Sequence, residues 1–287
     1  EDETARRAAH FYGDFDRRVR EESTALRQLG ASVVVGDIPP IAFAAAHEAG
    51  LPSVALGNFT WDWIYGDYPR FNQQAPGVID VIQRAYATAT LALRLPFHGG
   101  FEPMAAVTRD VPLVARRSRH TRDEVRRTLD LDSARPIVLA SFGGHGLGLP
   151  YADIARRGRF TLIVTDHEAR FDTAAGARLR FLTAATLKEC GLRYEDLVAA
   201  SDVVVSKPGY GIVSECIANN AALLYTSRGH FVEHDVFVAE MPLALRCRHI
   251  PQDDLLAGRW SAAVEALLQQ PPISLPFALN GHAVAAE

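Results

Sequence analysis

The sequence predicts an α/β protein built from open parallel sheets, and three observations carry that prediction. Short runs dense in β-branched residues alternate with longer helix-patterned stretches along the whole chain. Two of these runs, residues 136–142 and 202–206, lead straight into glycine turns, Gly143-Gly144-His145-Gly146 and Lys207-Pro208-Gly209-Tyr210-Gly211. Two others, 32–35 and 53–56, end near the polar residues Asp37 and Asn58, at the carboxyl ends where open α/β sheets bind ligands.

At 287 residues, with 48% hydrophobic and 22% charged residues, the chain can bury a core large enough for two domains. A net charge of −4 and a pI near 6.2 give no basic footprint for nucleic acid, and the local cluster Arg116, Arg117, Arg119 and Arg122 reads as a solvated loop. Cys190, Cys216 and Cys247 are odd in number and lack CxxC spacing, so no disulfide framework and no zinc site is expected. No apolar run is long enough to span a bilayer and no signal peptide is visible. A cytoplasmic protein is therefore expected, with peripheral membrane contact left open.

In order, residues 3–29 read as one long helix, with Ala8, Phe11, Phe15, Val19 and Leu26 on its apolar face and Gly30 at its end. A buried strand over 32–35, an alanine-rich helix closed by Gly50 and a strand over 53–56 give βαβ wiring. Asp37 reads equally as a helix cap or as a catalytic carboxylate. The stretch from Phe59 to Tyr68 sets Trp61 and four other aromatic residues around Asp62 and Asp67, a pattern that suits a sugar-binding surface or a filled core. A helix over 78–93, a strand over 111–115 and a capping box at Thr121 and Glu124 follow. The connection between two domains, 1–118 and 119–287, is expected around residues 116–120.

The second half opens on the strand before Gly143, Gly144 and His145. That turn reads as a flexible loop or as a diphosphate contact made by backbone N–H groups, with His145 donating to phosphate or merely occupying the turn. Residues 160–165 form the next strand, Asp166-His167-Glu168 a loop without metal-ligand spacing, and 194–200 a helix. Then comes SDVVVSKPGYGIVSE, a strand, a glycine turn and a helix expected from Ile212. Gly209 and Gly211 let the backbone approach a ligand, and the helix offers an anion its free N–H groups. Glu215, one turn in, is placed to accept from a ribose diol; the plain alternative is an ordinary βα turn with a surface glutamate. Strands over 222–226 and 243–246 and helices near Asp253 and Trp260 complete the chain.

The order SFGGHG, ASDVVVSKPGYGIVSE, TSRGHFVEHDVFVAEM resembles the donor-binding half of GT-B glycosyltransferases, in the branch of the bacterial peptidoglycan N-acetylglucosaminyltransferase. The first half, VVVGDIPPIAFAAAHEAGLPSVALGNFTWDWIYGDYP and then VPLVARRSRHTRDEVRRTLDL, is similar to the glycosyltransferase-like N-terminal region of plant L-arabinokinases. The galactokinase-like domain of arabinokinases has no counterpart here.

The resemblance implies two Rossmann-like domains facing each other across a cleft. It places Gly143 and Gly144 at the diphosphate of a nucleotide sugar, Gly209, Tyr210 and Gly211 at the nucleotide and its phosphate, Ser214 and Glu215 at the helix start with Glu215 on the ribose, and Glu233 and His234 on the donor sugar. Asn58, Trp61 and Asp62 fall on the acceptor side. The family's first strand and its glycine- and histidine-containing loop, which supplies an acceptor base, have no match in this sequence, and residues 148–160 are short for the family; Asp37 is the substitute base. The function so implied is inverting transfer from a nucleotide sugar, with a UDP-sugar as the expected donor, an unidentified acceptor, and neither metal nor cofactor. A non-catalytic nucleotide-sugar-binding module and a nucleotide-sugar hydrolase are the alternatives.

Overall fold

A computed structural model of the chain describes residues 1–142, 148–165, 178–227 and 229–287. By contacts the chain divides into two units: Glu1–Leu113 with Phe231–Val236 and Asn280–Glu287, and Val114–His230 with Phe237–Leu279. The chain first crosses between Leu113 and Val114 and returns twice, so a single break after residue 118 does not describe the division. Two contacts explain the returns. Glu233 is hydrogen-bonded to Asn58, and the Gly281 N–H donates to the Leu113 carbonyl at 3.1 Å.

The first unit holds helices α1 (Asp2–Gly13), α2 (Phe15–Gln28), α3 (Pro40–Ala49), α4 (Trp61–Gly66), α5 (Phe71–Gln74) and α6 (Val78–Tyr86), and strands β1 (Val34–Gly36), β2 (Ser53–Gly57), β3 (Leu91–Arg94) and β4 (Thr108–Asp110). The strands pair in parallel in the order β1-β2-β3-β4. Ile38, Phe43, Phe71, Ile82 and Tyr86 fill its core.

Four expectations are corrected here. The expected 3–29 helix is two helices, because Gly13 is a poor helix former and Asp14 leaves helical geometry at φ −107°, ψ 19°. The strand expected to be buried over 32–35 is the sheet's edge at 34–36, with Val33 and Val35 exposed. The 78–93 helix stops at Tyr86, whose buried hydroxyl donates to the Ile38 carbonyl, and 91–94 pairs with β2 instead. The strand expected over 111–115 lies earlier, at β4, since Pro112 has no N–H with which to extend the ladder.

The second unit holds α7 (Arg122–Thr128), β5 (Ile137–Ala140), α8 (Tyr151–Arg157), β6 (Thr161–Thr165), β7 (Leu179–Leu182), α9 (Ala184–Glu189), α10 (Tyr194–Ala200), β8 (Val203–Ser206), α11 (Tyr210–Ala218) and β9 (Ala222–Tyr225). Then come α12 (Val232–Ala244), whose residues through Val236 group with the first unit, β10 (Cys247–His249), α13 (Gln252–Leu256) and α14 (Ser261–Leu268). A short α15 (Gly281–Val284) belongs to the first unit.

The expected capping box is present, with Thr121 and Glu124 bonding reciprocally at the start of α7. The six strands are all parallel, in the order β10-β9-β8-β5-β6-β7. Strands β5, β8 and β9 are buried along their whole length, as a sheet covered on both faces requires. The last strand falls at 247–249 rather than 243–246, because α12 carries its helix through Ala244 and pairing with β9 begins at Cys247.

Candidate nucleotide site

The six-stranded sheet reverses its winding between β5 and β8. Strands β5, β6 and β7 run outward in one direction, and β8, β9 and β10 in the other. At such a switch point the loops leaving the two central strands part to opposite faces and leave a crevice at their carboxyl ends. The two glycine turns singled out in the sequence follow these two strands. Gly143, Gly144 and His145, after β5, lie outside the described residues. Gly209, Tyr210 and Gly211, after β8, are described: Gly209 is the N-cap of α11, and a side chain built at Gly211 would meet nothing within 4 Å. The first-turn N–H groups of α11 have no partner within the helix, and the helix dipole stands behind them. The helix starts two residues earlier than Ile212 because Gly209, in extended conformation, already offers its carbonyl to Val213.

Side chains tie the switch point together. Ser206 Oγ donates to the Ser141 carbonyl at 2.6 Å, and the Ser141 hydroxyl meets the Tyr194 hydroxyl at 2.6 Å. The Arg116 guanidinium lies 5.9 Å from the Tyr194 ring and donates to Glu215. Burial raises the Tyr194 phenol well above its ordinary value, so it stays a neutral hydrogen-bonding group. Beside these residues is a cavity of about 460 Å³, lined by Arg116, Ser141, Thr165, Leu182, Leu187 and Tyr194 among others. Ser141, Thr165 and Leu182 stand at or just past the ends of β5, β6 and β7, so the hollow lies at the carboxyl edge of that half of the sheet. Its mixture of leucines with a few polar groups suits a flat, partly polar ligand.

Glu215 is the charged residue at the centre of this arrangement. Its side chain is 3% exposed, and burial raises its carboxyl above the usual range; the Arg116 charge and hydrogen bond pull it back, and Glu195 pushes it further up. Nε and Nη2 of Arg116 both reach Oε1, and no hydrogen bond between Oε2 and another described residue is found. Ser214 is turned inward instead: its hydroxyl donates to the Gly211 carbonyl of its own helix. Tyr210 accepts at its hydroxyl from the Val114 N–H at 3.2 Å, and burial pushes its phenol up to about 12.

On the first unit, Asp37 is exposed at the end of β1, and the next residue, Ile38, is buried in the left-handed region at φ 55°. A β-branched residue there is strained and must be held by its surroundings, which the Tyr86 hydroxyl does at the Ile38 carbonyl. Asn58, at the end of β2, is buried; its Nδ2 donates to the Phe97 carbonyl at 3.2 Å and to Glu233 Oε1 at 2.9 Å. Glu233, placed on the donor sugar by resemblance, is thus 4% exposed and engaged with Asn58. His234 is half-buried beside it on α12.

The aromatic stretch packs largely inward. Phe59, Trp61, Tyr65 and Tyr68 lie against the core, with Tyr65 stacked on Phe71 at 4.3 Å. Asp62 is buried, accepting from Gln83 Nε2 at 3.3 Å through Oδ2 while Oδ1 has no partner. Sequence reasoning missed Arg116, Ser141, Tyr194 and the leucines of β7 and α9, which are far apart in the chain. In the sequence Arg116 belongs to a basic cluster that reads as solvated, and only its contact with a buried carboxylate separates it from Arg117 and Arg119. No group of three or more His, Cys, Asp or Glu that could hold a metal occurs among the described residues, and no described helix is long and apolar enough to cross a membrane.

No family model matches the chain. It is 29% identical over 265 residues to the L-arabinokinase of Arabidopsis thaliana, a match that takes in 91% of this chain and 24% of that protein. The chain therefore spans about a quarter of the length of this curated relative. Among solved structures it resembles CalG4, the calicheamicin glycosyltransferase, with a TM-score of 0.58 at 15% identity over 94% of this chain and 73% of that one. The glycosyltransferase VinC in complex with dTDP gives a TM-score of 0.55 at 13% identity, over 94% and 73%. Arabidopsis thaliana UGT89C1 complexed with UDP gives 0.52 at 15% identity, over 93% and 71%. Identities this low speak for architecture, and with the two parallel sheets they establish it: the fold is GT-B.

Proposed function

We propose that this chain is a glycosyltransferase that takes a sugar from a nucleoside-diphosphate sugar, expected to be a UDP-sugar, and passes it to an acceptor hydroxyl with inversion. The observation that carries the reading is Glu215, a buried carboxylate on the helix that leaves the switch point of a Rossmann-like sheet, joined through Arg116 to a cavity at the carboxyl edge of that sheet. A ribose diol needs such an acceptor, and the base finds its place among Leu182, Leu187 and Tyr194. The α11 N–H groups, together with the turn carrying Gly143, Gly144 and His145, are assigned to the diphosphate, with Gly209, Tyr210 and Gly211 beside it. Glu233 and His234 are assigned to the donor sugar. Asn58, Trp61 and Asp62 stay on the acceptor side, Asn58 acting through the Glu233 carboxylate it holds.

In the reaction an acceptor oxygen attacks the anomeric carbon as the bond from that carbon to the diphosphate oxygen breaks. The acceptor proton passes to a base, for which Asp37 is the candidate, and the departing diphosphate carries away the bonding pair. Backbone N–H groups and a helix dipole stabilise that anion without reorganising, so the reading requires no metal. The finer kinship, with the peptidoglycan N-acetylglucosaminyltransferase branch, rests on the order of the glycine motifs.

A second reading is a nucleotide-sugar-binding module without transfer activity. It is favoured by the match to one quarter of a protein that is named for a kinase activity. Thermal-shift titrations with UDP, GDP, dTDP and their common sugars test the nucleotide reading first, since a ligand of the folded state raises its apparent stability. Nucleoside-diphosphate release is then followed with and without candidate acceptors. Release that requires an acceptor supports transfer, full-rate release without one means hydrolysis, and binding without release means a binding module.

A further inference from the structure

The Arg116–Glu215 pair joins a buried anion to an exposed cation. The Glu215 side chain is 3% exposed and that of Arg116 is 64% exposed. Both guanidinium contacts fall on Oε1, and Arg116 at the same time lines the cavity that Ser141 and Tyr194 share. A vicinal diol that donates to both oxygens of the Glu215 carboxylate therefore competes with Arg116 for Oε1. A guanidinium that gives up a buried carboxylate loses charge-assisted hydrogen bonds, which water at its exposed face replaces in part and another anion replaces more fully.

Resting on the nucleotide reading of this cavity, we propose that Arg116 determines specificity by exchanging partners: it holds Glu215 in the free protein and a nucleotide phosphate when the ribose diol takes Glu215. The charge balance sets the preference. In the free protein the pair is neutral. A bare nucleoside that displaces Arg116 leaves the guanidinium unpaired, whereas a nucleoside diphosphate brings the replacement anion with it. The arrangement therefore selects phosphorylated nucleotides against nucleosides that present the same base and ribose.

The backbone around Arg116 permits this as a side-chain movement alone. The Val114 N–H is bonded to the Tyr210 hydroxyl, the Arg116 carbonyl accepts from Asn219 Nδ2 at 3.0 Å, and the Ser118 N–H donates to Asn219 Oδ1 at 2.9 Å. The segment is thus fixed along α11, and the Arg116 side chain moves over the Tyr194 face. Lys207, exposed at the end of β8, is a second cation near the turn but makes no contact with Glu215, which makes it the natural control.

The test is calorimetric titration of wild type, R116A, R116Q and K207Q with the pairs uridine and UDP, thymidine and dTDP, and guanosine and GDP. Removing Arg116 should weaken binding of the diphosphate by about tenfold or more and tighten binding of its nucleoside by about threefold or more, two changes of opposite sign. K207Q should weaken the diphosphate at most, without tightening the nucleoside. Arg116 variants that weaken both ligands, or leave the nucleoside unchanged, overturn the exchange while the nucleotide reading stands. A wild type that binds none of the three diphosphates overturns the nucleotide reading, and the exchange with it. Removing Arg116 leaves the buried Glu215 without its cation and should lower the melting temperature; a melting transition that stays well above the titration temperature excludes misfolding as the cause of any loss.

Discussion

Replacing Asn58 by Asp sets a carboxylate against Glu233 where an amide now donates at 2.9 Å. Two unit charges that close repel by about 6 kcal/mol at an effective dielectric constant of about 20. Protonating one of them is cheaper: holding a proton at pH 7 on a carboxyl of ordinary pKa, about 4.3, costs about 3.7 kcal/mol. That route sets the loss. The shared proton corresponds to a folded-state pKa raised above the unfolded one, so stability is retained below the unfolded pKa and lost as pH rises. The deficit of N58D should shrink by about 1.4 kcal/mol for each pH unit of acidification and vanish near pH 4.3. N58A removes the donor without adding a charge and should cost about 1.5–3 kcal/mol with no such slope. Urea midpoints of both variants against wild type between pH 4.5 and 7.5 decide the matter. An N58D deficit independent of pH, or one under about 0.5 kcal/mol at pH 7, would refute the assigned contact.

Two further outcomes follow from the candidate site and its scaffold. The Glu215 carboxyl is raised above 4.5 by burial, so the wild type should lose stability relative to E215Q as pH climbs from 4.5 through that raised value. Over the same window its affinity for a ribonucleotide should rise, because the ionised form is the better acceptor; E215Q should bind about tenfold more weakly with no pH dependence, as thermal-shift titrations across pH would show. Gly100 sits at φ +80° with an added Cβ only 2.1 Å from Thr60 Oγ1, whereas Gly77 at φ +76° has nothing within 4 Å. Gly100→Ala should therefore cost about 2–4 kcal/mol in urea unfolding and Gly77→Ala about 1 kcal/mol, and equal losses would mean that the contact with Thr60 is not tight.

The class of fold and the general place of the site are legible in the amino-acid pattern alone. Strand-forming runs that end in glycine turns are local features, and the turn after β8, the capping box at Thr121 and the closing Gly50 all follow from residues within a few positions of one another. The parallel wiring followed too, because a strand, a helix and a strand in succession allow little else. Pairing decided what patterns could not. Residues 91–94 continue a helical pattern yet form β3, because β2 offers them a ladder, and 111–115 are β-branched yet irregular, because Pro112 ends one.

The site divides in the same way. Glu215 is legible as a helix residue behind a glycine turn, but its burial, its raised carboxyl and its pairing with Arg116 depend on what lies against α11. Arg116 is nearly one hundred positions away and looks like any surface arginine. Asn58 and Glu233 are each visible as polar residues near element ends, and only the return of 231–236 to the first unit joins them. The aromatic residues between Phe59 and Tyr68 suited a binding surface or a core equally well, and packing against Phe71 and the helices of the first unit turned most of them inward. Local chemistry is written in neighbouring residues. Which buried charge meets which cation is set by the winding of the sheet, because contacts made across long stretches of chain exist only once that winding is complete.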